Sequence, residues 1–202
     1  LEPYFKAEAL SLPSENQLAQ AMDLIDPSAV HKARNRVLTD LATALHDDLV
    51  DTYARFAMSE AYRPDGEQAG RRALRNRALL LLAHADKSTA PKRAYEQFQS
   101  ASNMTDCLAA LTVLTNLDCA ERQEALDQFY GRWKGNELVI NKWLSVQATS
   151  SAPGTIERIK SLRLHESFTL HNPNKVRALI GAFAMNNPVH FHAASGEGYA
   201  IW

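Results

Sequence analysis

The stretch DPSAVHKARNRVLTDLATALHDDLVDTY, residues 26–53, decides the class of fold. Val30, Ala33, Val37, Leu38, Leu41, Leu45, Leu49 and Tyr53 recur at spacings of three and four, which places them on one stripe of an α-helix. Asp26 before Pro27 is a start signal: the carboxylate accepts from the first free amides, and proline occupies a position that needs no donor. The spacing predicts one long helix or two nearly collinear ones, ended by the turn Arg63-Pro64-Asp65-Gly66.

The same signals recur along the chain. Ser14 with Gln17 forms a capping box for a short helix to about Asp23. Further helices are predicted over 67–85, 89–100, 104–116, 120–133, 136–149, 153–163 and 173–185, separated by short turns such as Gly135 and Ser151-Ala152-Pro153-Gly154. Ala and Leu greatly outnumber Val and Ile and no segment alternates with period two, so strands have little support. Residues 1–13, with Pro3 and Pro13, read as an extended leading segment. Helices this short joined by tight loops pack as antiparallel neighbours, so the reading is all-α: one domain over 1–202 of stacked helix pairs, an α-solenoid of the armadillo/HEAT kind.

Composition excludes several functions. The chain has 202 residues, 46% hydrophobic content and a formal net charge of −1. It can bury a core, but nothing draws it globally to phosphate backbones or anionic lipid, so nucleic acid and membrane are not expected partners. The longest apolar run, Ala78 to Ala83, falls far below the roughly 20 residues that span a bilayer. Cys107 and Cys119 suit buried free thiols in a reducing, cytoplasmic compartment. Leu1 at the start and the apolar Gly198-Tyr199-Ala200-Ile201-Trp202 at the end read as cut ends, as in a domain excised from a longer enzyme and truncated at its C-terminus.

Candidate sites each have a bland reading. His190-Phe191-His192 with Glu197 could ligate a metal, but this region reads as a turn, in which two histidines at i and i+2 do not converge. Arg71, Arg72, Arg75 and Arg77 form a basic cluster opposite Leu74, Ala78, Leu81 and Leu82 and read as a solvated helix face. Trp133 and Trp143 read as core, and Asn103-Met104-Thr105-Asp106 as a helix cap. Asn172-Pro173-Asn174-Lys175-Val176-Arg177 differs. Asn172 is an N-cap with Pro173 at the first helical position, so Lys175 and Arg177 sit where cations oppose the helix dipole by roughly 0.3–1 kcal/mol each. A local cost of this kind points to a use for the charge.

Three segments, in order, carry a resemblance. They are Asn103-Met104-Thr105-Asp106, then Trp133 with Asn141-Lys142-Trp143 and Gln147-Ala148, then Ser167 through Phe183 with Asn187-Pro188 and Phe191-His192-Ala193. Together they resemble the C-terminal helical domain of the bacterial-type aminopeptidase N family of zinc metallopeptidases. The resemblance implies a helical domain that covers the active-site chamber and shapes peptide access, with the catalytic domain of the same polypeptide and peptide substrates as partners. It also implies zinc in the parent enzyme and substrate-binding roles there for Arg177, Lys175 and Asn174.

The chain itself holds no His-Glu-x-x-His, the arrangement that brings two imidazoles and a water-activating carboxylate to one metal. His165-Glu166 comes nearest, but Thr169 stands where the second histidine should be. No catalytic residue, metal ligand or cofactor is therefore assigned to this chain alone. The alternative reading is an independent helical-repeat scaffold that binds a peptide or protein.

Overall fold

The computed structural model describes residues 2–57 and 60–202, and among them the ordered structure is helical, without strands. The chain divides into two compact units: residues 1–13 with 32–114, and residues 14–31 with 115–202.

The first unit is built on α3 (Pro27–Ala44) from Lys32 onward, α4 (His46–Arg55) and α5 (Gly66–Ala85). The apolar stripe of residues 30–53 does what its spacing predicts. Leu38, Ala42 and Leu49 are buried against Ala78, Leu81 and Leu82 of α5. The stripe is broken once, at Leu45, where the backbone leaves helical geometry, so two helices form. Asp65 caps α5 by accepting from the Gln68 amide at 2.8 Å. Next come α6 (Ala90–Ser100) and α7 (Met104–Thr115), tied to α5 by polar contacts. Asn76 donates to Asp106 at 2.7 Å, and Gln97 Nε2 donates to both Asn76 Oδ1 and the Asp106 carbonyl. Asn103 caps α7 through the Asp106 amide at 2.9 Å, the role expected from the sequence.

Two expectations are corrected here. Residues 1–13 are not extended, because α1 (Pro3–Ala9) is a helix. Pro3 stands at its first positions, where proline favours a helix rather than breaking it. Gly70 lets α1 lie close on α5: a Cβ there would come within 3.2 Å of the Tyr4 amide nitrogen. Nor is the arginine face simply solvated. Arg72 is buried and stacks on the Tyr62 ring at 4.9 Å, Arg75 covers the Tyr53 ring at 4.6 Å, and Arg71 pairs with Glu60 at 3.0 Å. Arginine planes bury well against aromatic faces, an interaction that helical spacing does not reveal.

The second unit comprises α2 (Glu15–Ala19), α8 (Ala120–Trp133), α9 (Glu137–Ala148), α10 (Thr155–Arg163) and the C-terminal helices. The Ser14–Gln17 capping box is present in both directions. Leu126, Phe129, Ile140, Leu144 and Ile159 form the core of this unit with Leu179 and Phe183. Trp143 is buried and donates its indole N–H to the Leu126 carbonyl at 3.0 Å, joining α9 to α8. Gly154 ends the turn before α10 at φ +81°, a conformation that favours glycine.

Candidate functional site

The helix that begins at Pro173 carries the candidate site. Its first turn is α11 (Pro173–Val176). Residues Arg177–Gly181 then form one wider π turn, and α12 (Ala182–Asn186) continues without leaving helical backbone geometry. Asn172 is the N-cap, accepting from the Asn174 amide at 3.0 Å and donating its side-chain N–H to Glu137 on α9 at 3.3 Å. Such a π turn adds a residue to the helix and re-aims the side chains that follow, which is why these turns recur at functional sites. The one here is supported from outside, because Ser145 of α9 donates to the Ala178 carbonyl at 2.9 Å.

The three residues singled out from the sequence separate within this element. Lys175 is buried, whereas Asn174 and Arg177 are exposed. Neither Lys175 nor Arg177 makes an ion pair or side-chain hydrogen bond among the described residues. Arg177 is thus an unpaired guanidinium at the positive end of a helix.

The motif residues beyond it have structural roles. Asn187 is 2% exposed and donates to both the Ala148 carbonyl (3.0 Å) and the Ser150 carbonyl (2.7 Å), pinning the end of α12 to the loop after α9. Pro188 then opens a helical turn, α13 (Pro188–Phe191), where the sequence reads as an irregular turn. Phe191 packs edge-on against Phe183 and Tyr199. Gly198, in α14 (Glu197–Ile201), is required there, since a Cβ would lie 2.2 Å from the Phe191 carbonyl oxygen.

The residues present do not suit a zinc ion. Glu197 is held by Lys160 at 2.9 Å and His192 by the Tyr199 hydroxyl at 2.7 Å. Among the described residues, no group of three His, Cys, Asp or Glu side chains could hold a metal. His165-Glu166 is used for packing: Tyr130 donates to Glu166 at 2.6 Å, the Ser167 amide donates to His165 Nδ1, and the imidazole meets the Tyr130 ring edge-on. The Glu166 carboxylate raises the Tyr130 hydroxyl above its ordinary range through that bond.

The sequence profile of the family described as a domain of unknown function (DUF3458_C) with ARM repeats matches residues 1–202. The chain belongs to the DUF3458_C family. This DUF3458_C chain is similar to Aminopeptidase N of Escherichia coli, with 41% identity over 199 residues, covering 98% of the chain and 23% of that protein. Aminopeptidase N of Caulobacter vibrioides is 38% identical over 99% of the chain and 23% of its own length. Among solved structures, Legionella pneumophila aminopeptidase A, crystallised in complex with aspartic acid, matches with a TM-score of 0.89 and 33% identity, over 100% of the chain and 24% of that protein. The chain therefore spans about a quarter of the length of these relatives. The aminopeptidase N resemblance carried by the three sequence segments holds along the whole DUF3458_C chain, and the ARM-repeat description agrees with the all-α helical-repeat class.

Proposed function

We propose that this chain is the helical domain of an aminopeptidase N-type zinc exopeptidase, covering the active-site chamber and shaping peptide access without catalysing. The observation that carries the reading is the near-complete match of the chain to proteins named Aminopeptidase N, of which it spans 23%. Zinc, the catalytic groups and the bond cleavage belong to the remainder of such a polypeptide, and this domain supplies shape and charge. Cys107 and Cys119 form no disulfide among the described residues, which suits a reducing, cytoplasmic setting.

Within that role Arg177 binds the carboxylate end of short peptides. It is exposed, cationic and free of internal partners, and a guanidinium offers two parallel donors to a carboxylate. Asn174, exposed one turn before it, contributes a polar edge, while buried Lys175 sets the local charge.

The test compares the isolated chain with the full polypeptide that carries it. Elemental analysis after dialysis should find about one zinc per full polypeptide, which should cleave aminoacyl anilides, whereas the isolated chain should do neither. Stoichiometric zinc with turnover in the isolated chain would overturn the assignment.

A further inference from the structure

We infer that the cleft between α8, α9 and α10 binds a small zwitterion, an α-amino acid or a dipeptide. The cleft has a volume of about 280 Å³. That is at the small end of ligand pockets and suits a molecule the size of a dipeptide.

Its lining combines two guanidinium groups, a helix N-terminus and one carboxylate. Gln147 of α9 is 3% exposed and lines the cleft. Its Nε2 is committed to the Trp143 carbonyl at 3.0 Å, but its Oε1 accepts from nothing. That oxygen is shielded from solvent, so it lies behind the cleft wall rather than opening onto the cleft. On the opposite walls stand Arg122 of α8 and Arg158 of α10. Arg158 donates to Gln123 Oε1, and the ion contact of Arg122 is a loose 3.9 Å approach to the exposed Asp118. Among the described residues, no carboxylate bridges the two guanidinium groups. Burial first, and the charge of Arg122 second, lower the Arg158 pKa, with Asp127 opposing only in part.

The first turn of α10 also lines the cleft. Its N-cap is Gly154, which has no side chain to cap the free amides, so the positive end of the helix faces the same space. Glu157, exposed in that turn, supplies the one negative charge among the lining residues. Arg122 and Arg158 suit a carboxylate, and Glu157 suits an ammonium. A simple anion satisfies only half of this set. Arg177 is not among the lining residues, so the inference stands apart from the proposed peptide contact.

The test is an NMR titration of the full 202-residue chain with L-alanyl-L-alanine, N-acetyl-L-alanine, L-alaninamide and inorganic phosphate. The dipeptide should give saturable shifts of the Gly154 and Thr155 amides and of the Gln147 side-chain amide. The acetylated acid and the amide should each bind about tenfold more weakly or worse, since each loses one charged contact. Arg122→Gln with Arg158→Gln should weaken the dipeptide similarly, and Glu157→Gln by several-fold. If a variant fails to fold, the comparison of ligands on the unaltered chain decides. Phosphate or N-acetyl-L-alanine binding as tightly as the dipeptide would overturn the inference, as would the absence of saturable shifts at the cleft amides.

Discussion

Asn187 reaches two carbonyls with one amide group, and both lie in a segment that would otherwise leave them buried without donors. Asn187→Ala should lower stability by about 2–3 kcal/mol, since two hydrogen bonds go and two shielded acceptors remain. Chemical denaturation measures this, and a loss below about 0.5 kcal/mol would contradict the role. Tyr53 makes a pH-dependent contribution. Burial is the largest influence and raises its pKa above the ordinary value of 10.0, with Arg75 partly opposing. A group whose folded pKa is raised contributes fully below its unfolded pKa and loses that contribution as pH rises through the folded one. Stability should therefore fall above about pH 10, and Tyr53→Phe should flatten that alkaline limb while keeping the ring beneath Arg75. An unchanged alkaline limb would show that the hydroxyl is not responsible. The sequence indicates these residues unevenly. The Asn-Pro pair marks a helix junction, but nothing in it foretells which carbonyls Asn187 will meet.

At the scale of elements, most helices were legible from their apolar periodicity, with a capping side chain at the start or without one. The stretch 120–133 is found as predicted, α5 differs from its predicted bounds by one residue at its start, and α9 by one residue at each end. Their starts follow from Asp65 and Asn136, whose side chains accept from the amides three residues on. By contrast, α1 was hidden because prolines at both ends of 1–13 read as breakers, while its stability comes from contact with Gly70 of α5, far away in sequence. The π turn at Arg177–Gly181 has no local signature either, because its support is the Ser145 hydroxyl more than thirty residues earlier. Ser145→Ala should cost about 1 kcal/mol and, in the full polypeptide, alter the handling of short peptides through a shift of Arg177. Full stability with unaltered KM values would contradict this support. The cleft between α8, α9 and α10 was likewise invisible, as Gln147 reads as one more residue of an aromatic-rich helix. Its unpaired oxygen emerges only once Trp143 has taken the other half of the amide.

For the molecule as a whole, charge balance and the missing His-Glu-x-x-His narrowed the function, and the three ordered segments supplied the family. The second and third of those segments are bonded to one another within the second unit, where Ser145 donates to the Ala178 carbonyl and Asn187 to the Ala148 carbonyl. Arg177 alone among the charged residues of the Asn-Pro-Asn-Lys-Val-Arg segment is exposed, and it has no side-chain partner among the described residues. The most direct measurement is therefore the steady-state kinetics of the full polypeptide with Arg177→Ala, on short peptides with free carboxylates and on single-residue anilides. Lys175→Met serves as a control that keeps the buried volume. Losing a bidentate, charge-assisted contact of ~1.5–3 kcal/mol should raise KM for the free peptides roughly tenfold or more and leave the anilides nearly unchanged. An equal loss on both substrate classes, or the same selective loss with Lys175→Met, would contradict the account.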